Sequence, residues 1–432
     1  MNDDTPTTNE NEAPLEAKYG LPREVKFCTR CVISNQRPNS TAEFRHTKDS
    51  KKETIHFDAE GVCDACRFVE EKAAIDWDTR KAELVELCNR YRRTDGRYDC
   101  IVPGSGGKDS FYASHVLRYE FGMNPLTVTW APHIYTEWGW RNFERWIHSG
   151  FDNYLLTPNG RAHRILTRAA VENLLHPFQP FIIGQKSIAA KMSVLFDIPL
   201  VFYGENEAEY GNPLQDNKTA LRADKFHTAE NSLDEISLGG VSGRDLVGEY
   251  GLSEADLQPY LPARPEALQR VGTAVHYLGY YLKWHPQGCY YYARDHGGFE
   301  PSPERTPGTY SKYNSIDDRI DDFHYYTTFI KFGIGRATYD AAQEVRPGDI
   351  EREEAVALVK RYDGEFPTRF ADEIFSYLSL PPEEFPEASR HFNEPIMTRE
   401  TFDALVDTFR SPHLWRQTAN GWQLRHTVFD GD

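Results

Sequence analysis

Apolar residues along this chain fall into short runs separated by longer amphipathic stretches. Asp99–Val102, Leu126–Trp130, Tyr154–Thr157 and Leu200–Tyr203 are strand-sized runs bounded by turn residues. Between them, Ser110–Phe121, Glu137–Ser149, His163–Leu175 and Gln185–Phe196 carry apolar positions at helical spacing. Such alternation predicts an α/β fold, a parallel sheet with helices on both faces. Phe181–Gly184 reads as a further strand-sized apolar patch that turns into the helix at Gln185. Upstream, Asp78–Arg93 is an amphipathic helix with Leu84, Val85, Leu87, Cys88 and Tyr91 on or near one face, closed by Gly96. Downstream the pattern weakens from Asn212 to about Tyr260, as expected of an insertion. Tyr277–Trp284 and Cys289–Ala293 are aromatic-rich, and Tyr280, Tyr281 and Tyr290–Tyr292 suit either a cleft wall or core. Ser315–Thr328 and Arg352–Tyr362 read as helices, and the chain from Glu365 reads as helical to about Arg410, broken by Pro381, Pro382 and Pro386.

One turn in this pattern carries chemistry. Asp99–Val102 runs into Pro103-Gly104-Ser105-Gly106-Gly107-Lys108-Asp109-Ser110 and then a helix. A strand, a glycine-rich turn and a helix aim backbone N–H groups at a phosphate, with the helix N-terminus adding positive potential. Lys108 and Ser110 add donors, and Asp109 could hold Mg²⁺. A Walker A loop would need Gly at Val102 and Ser or Thr at Asp109, so the turn is a different phosphate cradle. Two other strand-end clusters accompany it, Trp130-Ala-Pro-His133 and Gly204-Glu205-Asn206. Glu205 is a second candidate Mg²⁺ or ribose ligand, and His133 a substrate contact or general acid or base. Gln185 and Lys186 open a helix and could face a sugar or phosphates. The turn Lys331-Phe-Gly-Ile-Gly-Arg336 places two cations where they suit a polyanion.

Charge and cysteines narrow the classes. A formal net charge of −17 weighs against a broad nucleic-acid surface. No apolar run reaches the ~20 residues of a membrane span, and the polar, acidic N-terminus is unlike a signal peptide, so a cytoplasmic protein without membrane insertion is expected. Cys28-x-x-Cys31 and Cys63-x-x-Cys66 offer four thiolates from two turns, which suits a closed structural Zn²⁺ site better than redox chemistry or an iron–sulfur cluster. The charged Arg45–Lys52 stretch between the pairs reads as a loop insertion. Cys88, Cys100 and Cys289 read as packed thiols.

Ser105–Ser110 resembles the S-G-G-x-D-S loop of the PP-loop ATP pyrophosphatases, which cleave ATP between its α and β phosphates and adenylate an oxygen. The cysteine pairs, Thr129–His133, Pro180–Lys186, Phe202–Asn206, and Asp322-Phe-His-Tyr through Lys331–Arg336 extend the resemblance to the N-acetyl sugar amidotransferases of surface-polysaccharide and nonulosonic acid biosynthesis. This resemblance spans roughly residues 27 to 424. It implies an adenine nucleotide α-hydrolase-like sheet, ATP, Mg²⁺ and Zn²⁺, and an N-acetylated sugar whose amide becomes an acetamidino group. It also implies a separate glutaminase subunit supplying ammonia, since no cysteine here sits in a nucleophile context. The loop, with Lys331 and Arg336, would hold the leaving pyrophosphate. Expected units are a disordered tail (1–20), a zinc segment (21–75), the PP-loop domain (76–212), an insertion (213–300), a segment completing the site (301–364) and a helical region (365–432). Arg141, Arg145, Arg161 and Arg164 lie near strand-end loops and would either meet a carboxylated sugar or serve as surface charges. A tRNA-thiolating PP-loop enzyme and a non-catalytic nucleotide-binding scaffold are the rival readings. The first needs catalytic-domain cysteines beyond Cys100 and Cys289, and the second leaves the intact loop without a use.

Overall fold

The computed structural model describes residues 15–213, 218–230 and 232–430. Five strands, β1 (Cys100–Pro103), β2 (Pro125–Trp130), β3 (Asn153–Leu156), β4 (Leu200–Tyr203) and β5 (Ala274–Tyr277), form one sheet in the order β3-β2-β1-β4-β5. Every pairing in it is parallel. Side chains alternate across the strands, so Ile101 and Val201 meet one layer of helices while Cys100, Val102, Leu200 and Phe202 meet the other. The first layer is α5 (Gly160–Leu174) and α6 (Gln179–Phe196); the second holds α2 (Trp77–Tyr91) and α3 (Lys108–Tyr119). From β1 the chain winds outward to β2 and β3, then returns to the other side of β1 for β4 and β5. Ligands in such sheets sit at this switch point, outside the carboxyl ends of β1 and β4.

Two expected elements differ, and one strand was not expected. Phe181–Gly184 is the first part of α6, one helix of 18 residues, and no strand-to-helix turn lies there. Its apolar run reflects burial on several sides rather than a strand. Gly184 is pressed so closely to the Trp130 indole that a Cβ there would lie 2.1 Å from the ring. The fifth strand, only four residues long and following the weakly patterned segment, was not expected. The helix expected from Ser315 begins at Asp321 and runs to Phe332, which leaves residues 313–320 as a loop beside the switch point.

The expected tail residues 1–14 lie outside the described residues. Lys18–Gly20 form a short turn whose Lys18 N–H donates to Ser411 Oγ (2.9 Å) and whose Tyr19 hydroxyl donates to the Phe409 carbonyl (2.8 Å). The C-terminal region holds helices Ala371–Leu378 and Arg399–Phe409 and ends in an antiparallel hairpin, Trp415–Thr418 with Gly421–Leu424. Among the described residues no helix is long and apolar enough to cross a membrane.

Candidate active site

The glycine-rich turn is shaped by contacts that leave no room for side chains at two positions. A Cβ on Gly104 would lie 2.1 Å from Ser110 Cβ, and one on Gly106, whose φ is +83°, would lie 2.7 Å from the Phe143 Cα. Gly107 then caps α3, and the first-turn N–H groups of that helix have no intrahelical acceptor. Pro103 through Ser110 all line one cavity of about 620 Å³ at the carboxyl ends of β1 and β4. That volume lies within the usual range for a small-molecule site.

Gly204, Glu205 and Tyr210 bring the end of β4 to the same cavity. The Lys108 ammonium is buried and 2.6 Å from Asp109 Oδ2, while Trp284 Nε1 donates to Asp109 Oδ1 (3.2 Å). Burial pulls the Lys108 ammonium down, and Asp109, Cys289 and Glu205 more than restore it. Tyr210 donates to Glu205 Oε1 (2.8 Å). Burial, and after it the neighbouring Asp109 charge, push the Glu205 carboxyl above its ordinary range. Glu205 and Asp109, two carboxylates lining one cavity, form a donor set suited to a hard divalent cation.

Two further groups line the cavity. Asp317, Asp318, Asp321 and Asp340 are acidic, with Asp317 hydrogen-bonded to the Ser105 side chain. Glu43, His46, Lys52, His176, His324 and Lys331 form a mixed group. Glu43 Oε2 is 3.1 Å from His46 Nδ1 and 3.7 Å from His176 Nε2, and His176 stacks on His324 with centroids 5.2 Å apart. Lys331 Nζ donates to the Leu174 carbonyl (2.7 Å). Burial first, then the Lys52 charge, lower its ammonium to about 7.

The sequence-predicted residues divide. Pro103, Gly104, Ser105, Gly106, Gly107, Lys108, Asp109, Ser110, Gln185, Lys186, Glu205 and Lys331 share the cavity. Gln185 and Lys186 reach it from the middle of α6 rather than from a helix start. His133, expected at the substrate, lies behind the wall. Its side chain is fully enclosed, its Nδ1 and backbone N are each 2.7 Å from Asp318 Oδ2, and its ring stacks on His163. Asn206, expected to bind nucleotide, instead caps the turn Glu207–Tyr210 by accepting from Ala208 N (3.0 Å). Arg336, expected to grip pyrophosphate beside Lys331, is buried away from the cavity. It pairs with Asp321 (3.3 Å), donates to the Ser315 carbonyl (3.1 Å) and so fixes the 314–318 loop. The four arginines expected near a carboxylate also stand elsewhere: Arg145 pairs with Glu300, Arg141 with Glu137, Arg164 holds the Ser379 carbonyl, and Arg161 covers Phe385.

Sequence reasoning missed Tyr210, Trp284, the Asp317 loop and the stretch between the cysteine pairs. Arg37–Ser40, Glu43, His46 and Lys52 come from that stretch and form part of the cavity wall rather than a loop insertion. Its mixture of Glu, His and Lys, set between two clamped ends, is the signal that could have shown it. The four cysteines are buried, with ligand atoms within 4.8 Å of one another. Cys28 and Cys66 sulfurs are 3.9 Å apart and Cys31 and Cys63 sulfurs 3.8 Å, close to the ~3.8 Å edge of a tetrahedron built on Zn–S bonds of ~2.3 Å. The N–H groups of Arg30, Cys31 and Cys63 point at Cys28 Sγ, which favours a thiolate there. Cys88, Cys100 and Cys289 are buried thiols raised by burial, Cys88 to about 11.

Two comparisons bear on the site. An 83-residue stretch is 34% identical to an uncharacterized protein of Methanocaldococcus jannaschii, covering 19% of this chain and 29% of that relative. Residues 307–428, which supply the Asp317 loop, Lys331 and Arg336, match the family model described as LPS biosynthesis protein WbpG-like, C-terminal domain. Over that span the chain is similar to the C-terminal domain of WbpG-like LPS biosynthesis proteins.

Proposed function

We propose that the protein is an ATP-dependent amidotransferase that converts an N-acetyl group on a sugar into an acetamidino group. The observation that carries this reading is the convergence of the Pro103–Ser110 turn and the Asp109–Glu205 pair on one cavity of about 620 Å³. The S-G-G-K-D-S resemblance and the match of residues 307–428 to an LPS biosynthesis family support it.

An amide oxygen is a poor leaving group, so it must first be activated. In the proposed reaction the acetamido oxygen attacks the α-phosphorus of ATP, the α–β P–O bond breaks, and pyrophosphate departs. Ammonia then attacks the imidate carbon, the C–O bond to AMP breaks, and nitrogen gives up a proton. Backbone N–H groups of the turn and the Lys108 ammonium hold the polyphosphate, and Lys186 and Lys331, which line the same cavity, supply further positive charge. Asp109 and Glu205 would hold Mg²⁺, which neutralises phosphate charge when bound. Cys28, Cys31, Cys63 and Cys66 would hold Zn²⁺ in a closed site without an open coordination position. The attacking nitrogen must be unprotonated, which fits delivery by a partner glutaminase.

The buried, raised thiols of Cys100 and Cys289 argue against sulfur transfer to tRNA, which needs a thiolate or persulfide in reach of the nucleotide. The test is mass spectrometry of a panel of N-acetylated nucleotide-sugars and free sialic-type sugars incubated with ATP and ammonium. The proposal expects replacement of one oxygen by NH with equimolar AMP and pyrophosphate. Products of ADP and orthophosphate, or ATP cleavage indifferent to every sugar, would overturn it.

A further inference from the structure

The four-cysteine cluster and the cavity carboxylates are joined by two short chains of buried polar contacts. The first starts at Cys31, whose sulfur is hydrogen-bonded by the Arg346 guanidinium. Arg346 Nη1 also donates to the Glu209 carbonyl (3.0 Å) in the turn that follows β4. The second starts at α1 (Asp64–Ala73), which carries Cys66 and, further along, Lys72. Lys72 Nζ lies 2.5 Å from Glu209 Oε1 and 2.6 Å from the Trp284 carbonyl, with both charged side chains about nine-tenths buried. Glu209 is thus held from both directions.

Each chain ends on a cavity carboxylate. The residue after Glu209 is Tyr210, whose hydroxyl donates to Glu205 (2.8 Å). Trp284, held through its carbonyl by Lys72, donates its Nε1–H to Asp109 (3.2 Å). The indole lies between two ammonium groups, with Lys72 and Lys108 each 5.8 Å from its centroid. The turn docks tightly on the cysteine segment, because a Cβ at Gly211 would lie 2.4 Å from Ile55 and 3.3 Å from Ala65. Rotation of the turn without displacing α1 is therefore blocked.

We propose that Arg346 and Lys72 are positioning residues that tie the cysteine cluster to the Asp109–Glu205 pair, so that an intact cluster sets how tightly the cavity holds its divalent cation. The inference rests on the reading of Asp109 and Glu205 as a cation site. A group that orients the ligands of a metal changes the affinity for that metal more than the chemistry that follows. The cysteines would then act at a distance without touching substrate.

The experiment titrates the full-length protein with Mn²⁺, followed by electron paramagnetic resonance, in the presence of α,β-methylene-ATP, which cannot be cleaved between the α and β phosphates. Steady-state rates at varied Mg²⁺ give the companion readout. Arg346→Met is expected to weaken Mn²⁺ binding about tenfold and to raise the Mg²⁺ KM in step, with kcat at saturating Mg²⁺ within about twofold of wild type. Arg346→Lys, which keeps a donor and a charge, should recover much of the loss. Trp284→Phe, which keeps the ring's shape and removes only the Nε1–H, covers the case in which Arg346→Met does not fold; it should weaken Mn²⁺ binding about threefold to tenfold. Wild-type Mn²⁺ affinity in both Arg346→Met and Trp284→Phe would overturn the tie while leaving the cation site standing. Loss of kcat and Mn²⁺ affinity together without rescue by lysine would also overturn it, in favour of a merely structural role. If wild type itself binds no Mn²⁺ with the analogue, the cation-site reading falls and takes the tie with it.

Discussion

The Pro103–Ser110 turn and the Lys331–Arg336 turn are both glycine-rich and both carry basic residues, but they do different work. Every residue of the first faces one cavity. The second divides: Lys331 reaches the cavity, whereas Arg336 turns away to Asp321 and the Ser315 carbonyl. The reason is the geometry of the junction. A strand running into a helix converges its N–H groups on one point at the sheet's end. The second turn joins two helices. Gly333, with φ +68°, ends the first and Gly335 caps the second, so the flanking side chains leave in different directions. Residue type says that a turn can bind an anion, and the elements it joins decide whether it does.

The comparison can be broken at several points. Gly104→Ala should have the largest effect, because its Cβ would collide with Ser110 and displace the cradle. We expect a loss of at least ~100-fold in sugar-dependent pyrophosphate release, about 3 kcal/mol of transition-state stabilisation. Gly107→Ala, whose Cβ would approach nothing closer than 3.8 Å, should stay within about tenfold of wild type in the same assay. Equal losses at both positions would mean that the shape of the turn is not what matters.

The second turn should separate into stability and binding. Arg336→Gln breaks a buried pair and is expected to cost ~3 kcal/mol in chemical denaturation. Lys331→Met removes a buried ammonium held by one carbonyl, so stability should change by no more than ~1 kcal/mol while the KM for ATP or sugar rises. A stable Arg336→Gln protein with a raised KM would reverse the two assignments.

The smallest expected effect concerns pH. Burial lowers His115, His276 and His324 to about 4 each, and the second cause is His296 beside His115, Arg90 beside His276 and Arg336 beside His324. Unfolded, these rings take a proton near 6.5. Between about 6.5 and 4 the unfolded chain therefore binds protons that the fold refuses, and stability falls as pH drops through that window. Thermal unfolding from pH 7 to pH 4.5 should show this decline, and His324→Gln should make it shallower. An unchanged slope would show that His324 is protonated in the folded protein.

Much of the fold was legible because its signals are local. The first four strands and the helix after the glycine turn follow from apolar periodicity and turn residues. The failures share a cause in tertiary context. Phe181–Gly184 is apolar because α6 lies against the sheet and Trp130, and a run of that length does not distinguish a buried helix from a strand. His133 and Asn206 sit at strand ends, where ligands bind, but Asp318 holds the His133 Nδ1 and the Asn206 Oδ1 caps the Glu207 turn. His46 and Lys52 read as part of a charged loop insertion because nothing in the sequence shows that the stretch between the cysteine pairs lines the same cavity as Lys331.

The central claim is that the sugar's own amide oxygen is adenylated at this cavity. It is tested most directly by supplying an N-acetylated sugar substrate labelled with heavy oxygen in the acetyl carbonyl, together with ATP and ammonium, and weighing the AMP formed. The account predicts that the label leaves the sugar and appears in the phosphate of AMP in step with acetamidino product. Unlabelled AMP alongside that product would contradict it.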